Sequence, residues 1–101
     1  MNGQPAAERK SSILQHALVV AEKHGYHQMT REQIAKSANV SPALVSHYLG
    51  TMVAMRRAVM RAAVESRNAQ VVAQGLALKD KQALKADAQL RADAGACLVA
   101  R

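Results

Sequence analysis

Residues 30–49 read TREQIAKSANVSPALVSHYL, and the cap and turn residues in this stretch divide it into two short helices. Thr30 suits a helix cap, and Gln33 three residues later completes a capping box in which each residue satisfies a backbone amide of the other. Removing such a cap typically costs about 1 kcal/mol. Ile34, Ala35 and Ala38 then fall on one face. Asn39 follows, a residue that tolerates the left-handed backbone conformation better than most. Ser41 and Pro42 open the second helix: Ser is a favoured cap, and Pro fits the first turn, where the amide it lacks has no intrahelical partner. The second helix carries Leu44, Val45, Tyr48 and Leu49 at helical spacing.

Two helices that meet at an angle need a small residue at their contact, a turn-tolerant residue four positions on, and apolar anchors around the turn. Ala35, Asn39 and the set Ile34, Ala38, Val40, Val45 and Tyr48 or Leu49 meet those needs. The outward residues of the second helix are then Ser41, Pro42, Ala43, Ser46 and His47, with Leu44 at the margin. This face is small, polar and uncharged, suited to approaching base edges in a major groove. These six residues are the candidate base contacts.

On the amino-terminal side, residues 1–10 are polar with Gly3 and Pro5 and are expected to form a flexible arm. Ser11 or Ser12 is expected to cap a first helix with Ile13, Leu14, Ala17, Leu18 and Ala21 inward, closed by Gly25. On the other side, Gly50 and Thr51 separate the second short helix from a longer one beginning near Met52. Met55, Val59, Ala62 and Ala63 face inward there, and Arg56, Arg57, Arg61 and Arg67 outward. That helix is expected to reach Gln74, with Gly75 as its stop. LALKDKQALKADAQLRADAG, residues 76–95, predicts a final helix capped by Asp80 and ended by Gly95. No stretch shows sustained β alternation. The expectation is an all-α chain of about five helices, with a helix-turn-helix domain over residues 11–67 and a helical dimerisation segment and tail over 68–101. Leu76, Leu78, Leu84 and Leu90 are the candidate dimerisation residues.

Composition narrows the class. A net charge of +7 suits a polyanionic partner, and it concentrates with the helix pair: nine basic against four acidic residues up to Arg67, five against three beyond. With two Tyr and no Phe or Trp, stacking platforms for single-stranded nucleic acid are scarce. The single Cys97 allows no intrachain disulfide, and the start of the chain lacks an apolar run of signal-peptide length, so a cytoplasmic, nucleoid-associated location without membrane attachment is expected. His16, His24 and His27 are interrupted by Gly25 and lack carboxylate or thiolate company, so neither a metal nor another cofactor is expected. No paired carboxylates, phosphate-binding glycine loop or nucleophile beside a base suggests an enzyme.

Residues 11–62 resemble the DNA-binding region of the tetracycline-repressor (TetR) family. The resemblance rests on Ile13 to Ala21, Gly25, Thr30 with Ile34 and Ala35, NVS at 39–41, SHYL at 46–49, and Thr51. Ser46 stands where the family usually has a phosphate-binding Tyr, Leu49 where it has Phe, Met52 where a Lys commonly touches the backbone, and Asn39 in place of Gly. The residues after Arg67 are too few for the ligand-binding domain of that family, so small-molecule induction is not expected. Phosphate contacts are assigned instead to Thr30 and Arg31 at a helix start, to Tyr48, and to Arg56 and Arg57. The resulting expectation is a sequence-specific repressor of small plasmid or phage type, binding a palindromic double-stranded operator as a homodimer, with a partner regulatory protein as a further candidate. The alternatives are a protein-interaction module, such as an antirepressor or adaptor, and a nonspecific DNA-binding protein.

Overall fold

The computed structural model describes residues 5–99, which form six α-helices and one 3-10 turn. In chain order these are α1 (Ala6–His24), α2 (Arg31–Ala38), α3 (Pro42–Leu49), α4 (Met52–Glu65), α5 (Ala69–Ala77), the 3-10 turn Ala83–Lys85, and α6 (Ala88–Val99). The class is all-α, with no strand among the described residues.

Helix α1 begins nearly two turns earlier than a cap at Ser11 or Ser12 implies. Pro5 precedes it, its carbonyl accepts from the Arg9 amide at 3.0 Å, and Ala6, Ala7 and Glu8 fill the first turn with good helix formers and a favourably placed negative charge. Residues 6–10 of the expected arm are therefore helical, and residues 1–4 lie outside the described residues. At the other end Gly25, with φ 92°, donates its amide to the Ala21 carbonyl at 2.8 Å, a conformation that disfavours any residue with a Cβ.

The capping box of α2 is complete: Gln33 N donates to Thr30 Oγ1 at 3.1 Å, and Thr30 N donates to Gln33 Oε1 at 2.9 Å. Asn39 adopts the left-handed conformation, φ 57° and ψ 47°, and Val40 N returns to the Ala35 carbonyl at 3.0 Å. Ser41 Oγ accepts from Leu44 N at 3.1 Å with Pro42 in the first turn, and Thr51 Oγ1 caps α4 through Ala54 N at 3.1 Å.

Beyond residue 65 the chain departs from the expected boundaries. Helix α4 ends at Glu65 instead of reaching Gln74, because Arg67 takes a left-handed conformation and Asn68 Oδ1 accepts from Val71 N, starting α5. The segment expected to be one helix is a turn followed by α6. Asp80 Oδ1 accepts from Gln82 N and Ala83 N, Ala86 is extended, and Asp87 Oδ1 accepts from Leu90 N at 2.8 Å. Aspartate side chains thus satisfy the amides that a continuous helix would have used. Gly75 and Gly95 lie inside α5 and α6 and terminate neither.

A single buried cluster runs from Ile13 to Ala94. Met29, Ile34, Val45, Met55, Val59, Met60, Val71, Val72 and Leu90 are its largest fully enclosed side chains. Methionine fills the irregular gaps that aromatic rings would otherwise occupy. A polar clamp joins the end of α1 to α5 and the turn after it: Gln74 Oε1 accepts from Tyr26 N at 2.7 Å, Gln74 Nε2 donates to the Ala21 carbonyl at 2.9 Å, and the Tyr26 hydroxyl donates to Asp80 Oδ2 at 3.0 Å. Burial, with the Asp80 carboxylate second, pushes the Tyr26 phenol up to about 12, so it remains a donor. His16 Nδ1 and Ser37 Oγ, 3.0 Å apart, link α1 to α2.

The two helical glycines predict opposite responses to alanine. A Cβ on Gly75 would lie 2.6 Å from Met60 Cε and 2.7 Å from Ala83 Cβ, whereas one on Gly95 would meet nothing within 4 Å. Gly75→Ala is expected to lose about 1–3 kcal/mol through overpacking, and Gly95→Ala to gain up to about 1 kcal/mol of helix propensity. Urea unfolding of the two variants checks the signs.

Candidate nucleic-acid interface

Helix α3 is anchored from beneath by buried Val45 and Leu49, while Leu44 and Tyr48 are half-buried at its flanks. This leaves Ser41, Pro42, Ala43 and His47 exposed and Ser46 half-exposed. Every expected base-contact residue except the marginal Leu44 and half-covered Ser46 is therefore fully open. No acidic residue lies on α3. The His47 and Tyr48 rings meet edge to face with centroids 4.9 Å apart, which restricts the imidazole at the outer side of the helix.

The cap geometry fixes where this face begins. Ser41 satisfies the Leu44 amide, and the left-handed Asn39 reverses the chain just before it, so the amino end of α3 is held by local hydrogen bonds as well as by the core. A rigid, short, uncharged helix start is what base-edge readout requires, since a displaced donor loses its partner in the groove.

Elsewhere on this domain, the fold brings together cations that are distant in sequence. Arg31 at the start of α2 and Arg56 on α4 line one cleft of about 320 Å³, together with Thr30, Glu32 and Met52. Both arginines are half-buried, and the Nε of each is enclosed without a hydrogen-bond partner. Thr30 Oγ1 accepts the cap bond, which leaves its hydroxyl proton to donate outward. Thr30, Arg31 and Arg56 thus form one anion-compatible cluster at a helix start. Tyr48 sits apart on α3, and Arg57 is absent from this cleft, lying with Arg56 in a second groove. Met52, standing where a Lys is common in the resembled family, lines the cleft with Arg31, a meeting that no signal in the sequence marks.

Residues 13–59 match the model of the family described as bacterial regulatory proteins, tetR family. This segment is a tetR-type helix-turn-helix domain. Its span takes in α1 from Ile13, all of α2 and α3, and α4 to Val59, and includes every candidate base and phosphate contact named above. The tetR-type domain is that of a DNA-binding transcription regulator. No curated protein and no solved structure gives a significant match to this chain.

Of the four leucines expected to mediate dimerisation, Leu90 is only 1% exposed and belongs to the core of the monomer, where α6 packs on α5. Its side chain is enclosed within the monomer and is not available for pairing between copies. Leu76 is half-buried, while Leu78 and Leu84 are 57% and 51% exposed. The sequence pattern does not distinguish them because all four lie in one Ala-rich stretch, and the break at Ala86 and Asp87 turns them toward different surroundings.

Two classes of substitution separate positioning from readout. Arg31→Gln or Arg56→Gln is expected to weaken binding to all duplexes alike and to reduce the salt dependence by about one unit of slope. The double change Ser46→Ala, His47→Ala is expected to reduce preference for the cognate site more than affinity for random DNA. Salt-dependent anisotropy titrations measure both.

Proposed function

We propose that this protein is a sequence-specific transcriptional repressor that binds duplex DNA as a homodimer on a palindromic operator. The observation that carries this reading is the uncharged, solvent-facing start of α3, held by the Asn39 turn and the Ser41 cap, in a fold that also gathers Arg31 and Arg56 in one cleft. A surface able to read base edges next to one able to hold a phosphate is the minimum arrangement for specific duplex recognition. No described helix is long and apolar enough to cross a membrane. Action in the bacterial cytoplasm, on the nucleoid, is part of the proposal, as is a small plasmid- or phage-type genetic setting.

One α3 spans only about half of a site, so useful affinity calls for two copies with their recognition helices roughly 34 Å apart. Leu84, exposed just ahead of α6, is the residue on which the pairing proposal rests. Repression then depends on protein concentration and on any regulatory partner that shifts the monomer–dimer balance.

The decisive experiment is a titration of the full chain on the upstream region of its own gene against random duplex, at two salt concentrations. A preference of roughly a thousandfold, with affinity falling as salt rises, is the expected result. Equal binding to both duplexes would indicate a nonspecific DNA binder, and binding to neither would favour a protein-interaction module; either result overturns the proposal. Leu84→Asp is expected to shift sedimentation toward monomer and to weaken operator binding in parallel, with the helical circular dichroism unchanged.

A further inference from the structure

A second groove, of about 590 Å³, lies between α4 and the turn that follows α5. Its α4 wall carries Val53, Arg57 and Arg61, spaced four residues apart and therefore on one stripe of the helix, with Arg56 beside them. The opposite wall contributes Leu78 and Lys81. Four cations thus share one concave surface with two large apolar side chains, Val53 at 62% and Leu78 at 57% exposure.

The charge in this groove is unbalanced. Its one carboxylate, Asp80, stands against four cations, and its oxygens are engaged by neutral donors: Oδ2 accepts from the Tyr26 hydroxyl, and Oδ1 from the Gln82 and Ala83 amides. Among the described residues the Arg67–Asp87 contact is the one ion pair, so none of the four groove cations is matched by a carboxylate. Arg56 Nε is enclosed and has no acceptor. Arg57 and Arg61 are like charges one helical turn apart, an arrangement that disfavours the helix and that a bound anion would relieve.

The groove is also preformed. Asp80 N donates to the Gly75 carbonyl at 2.8 Å and Lys79 N to the Leu76 carbonyl at 3.1 Å, which fixes the turn bearing Leu78 and Lys81. Its volume lies within the roughly 300–1,000 Å³ range of small-molecule sites.

We propose that this groove binds a small amphipathic organic anion, one carboxylate, sulfonate or phosphate head group joined to an apolar body. The arginines and Lys81 hold the head group, and Val53 and Leu78 cover the body. A simple inorganic anion would leave those two apolar side chains unused. A DNA backbone would leave them unused as well, and Val53, Arg61, Leu78 and Lys81 all stand outside the residues assigned to DNA. The two surfaces adjoin: His27 and Arg56 line both clefts, and Arg57, a candidate phosphate contact, lies in this groove, whereas Val53, Arg61, Leu78 and Lys81 belong to this groove alone.

The test is a fluorescence titration of the full chain, without DNA, using 8-anilinonaphthalene-1-sulfonate as the probe and decanoate, inorganic phosphate and decyltrimethylammonium as competitors. Saturable binding of one dye per chain is expected, displaced by decanoate and not by equal concentrations of phosphate or the cationic detergent. Arg61→Ser and Val53→Ser, both at exposed positions, are each expected to weaken dye binding at least tenfold, while Arg91→Ser on α6 leaves it unchanged and thermal melts show all three folded. Unchanged affinity in the two groove variants would overturn the proposal. So would displacement by phosphate as effective as by decanoate, which would indicate an unspecific cationic patch, or displacement by the cationic detergent. A tenfold loss of duplex affinity in Val53→Ser would reassign the groove to DNA.

Discussion

Helix α1 can serve as the platform of this fold because its inner face is thin. Ala17 and Ala21 are completely enclosed, and helices α2, α3, α4 and α5 all make contact with α1. Larger residues at those two positions would push the neighbouring backbones apart, and a core made mainly of Val, Met and Ala, with Tyr26 as its buried ring, has little bulk to refill the space. Close packing of small side chains is therefore the constraint that sets the distance of these four helices from α1. The same logic recurs at Gly75, where α5 comes within contact of Met60 and Ala83.

That close packing has a consequence for the recognition helix. A short helix such as α3 is marginal by itself in water, since nucleation is costly and few bonds follow. It is held here by Val45 and Leu49 beneath, by the Ser41 cap at its amino end and by the Asn39 turn before it. Its exposed residues contribute nothing to the core, so they are free to suit a partner. The division of labour within eight residues explains how a chain with little apolar bulk presents a fixed binding edge.

The carboxy-terminal helices are tied to the same platform by polar as well as apolar contacts. Gln74 satisfies both a carbonyl at the end of α1 and the Tyr26 amide just after it, and Asn68 Nδ2 donates to Glu22 Oε2 at 2.6 Å. An unpaired amide in a partly buried joint is expensive, so by accepting from Tyr26 N, Gln74 completes the turn after α1 as much as it docks α5. The Tyr26–Asp80 bond then carries the connection into the turn that forms one wall of the basic groove. The surfaces proposed for DNA and for the organic anion are consequently parts of one connected framework.

Local chemistry determined the elements from Thr30 to Val59 and the exposed face of α3, because caps, turns and helical periodicity act over a few residues and are written in neighbouring positions. Thr30 with Gln33, Asn39, Ser41 with Pro42, and Thr51 each adopt the conformation their side chains favour. The start of α1 and everything beyond Glu65 were less legible. Ser11 and Ser12 are good caps that a preceding Pro and two Ala residues override, and the Ala-rich tail contains Asp80 and Asp87, whose side chains can either sit on a helix or end one. Only tertiary structure decided between those options, by requiring α5 and α6 to fold back so that Val71, Val72 and Leu90 could be buried. It alone also decided that Arg31 meets Arg56 and that Arg61 meets Lys81, since the meeting of charges so far apart along the chain is set by how the core places their backbones, and no local rule reaches across that distance.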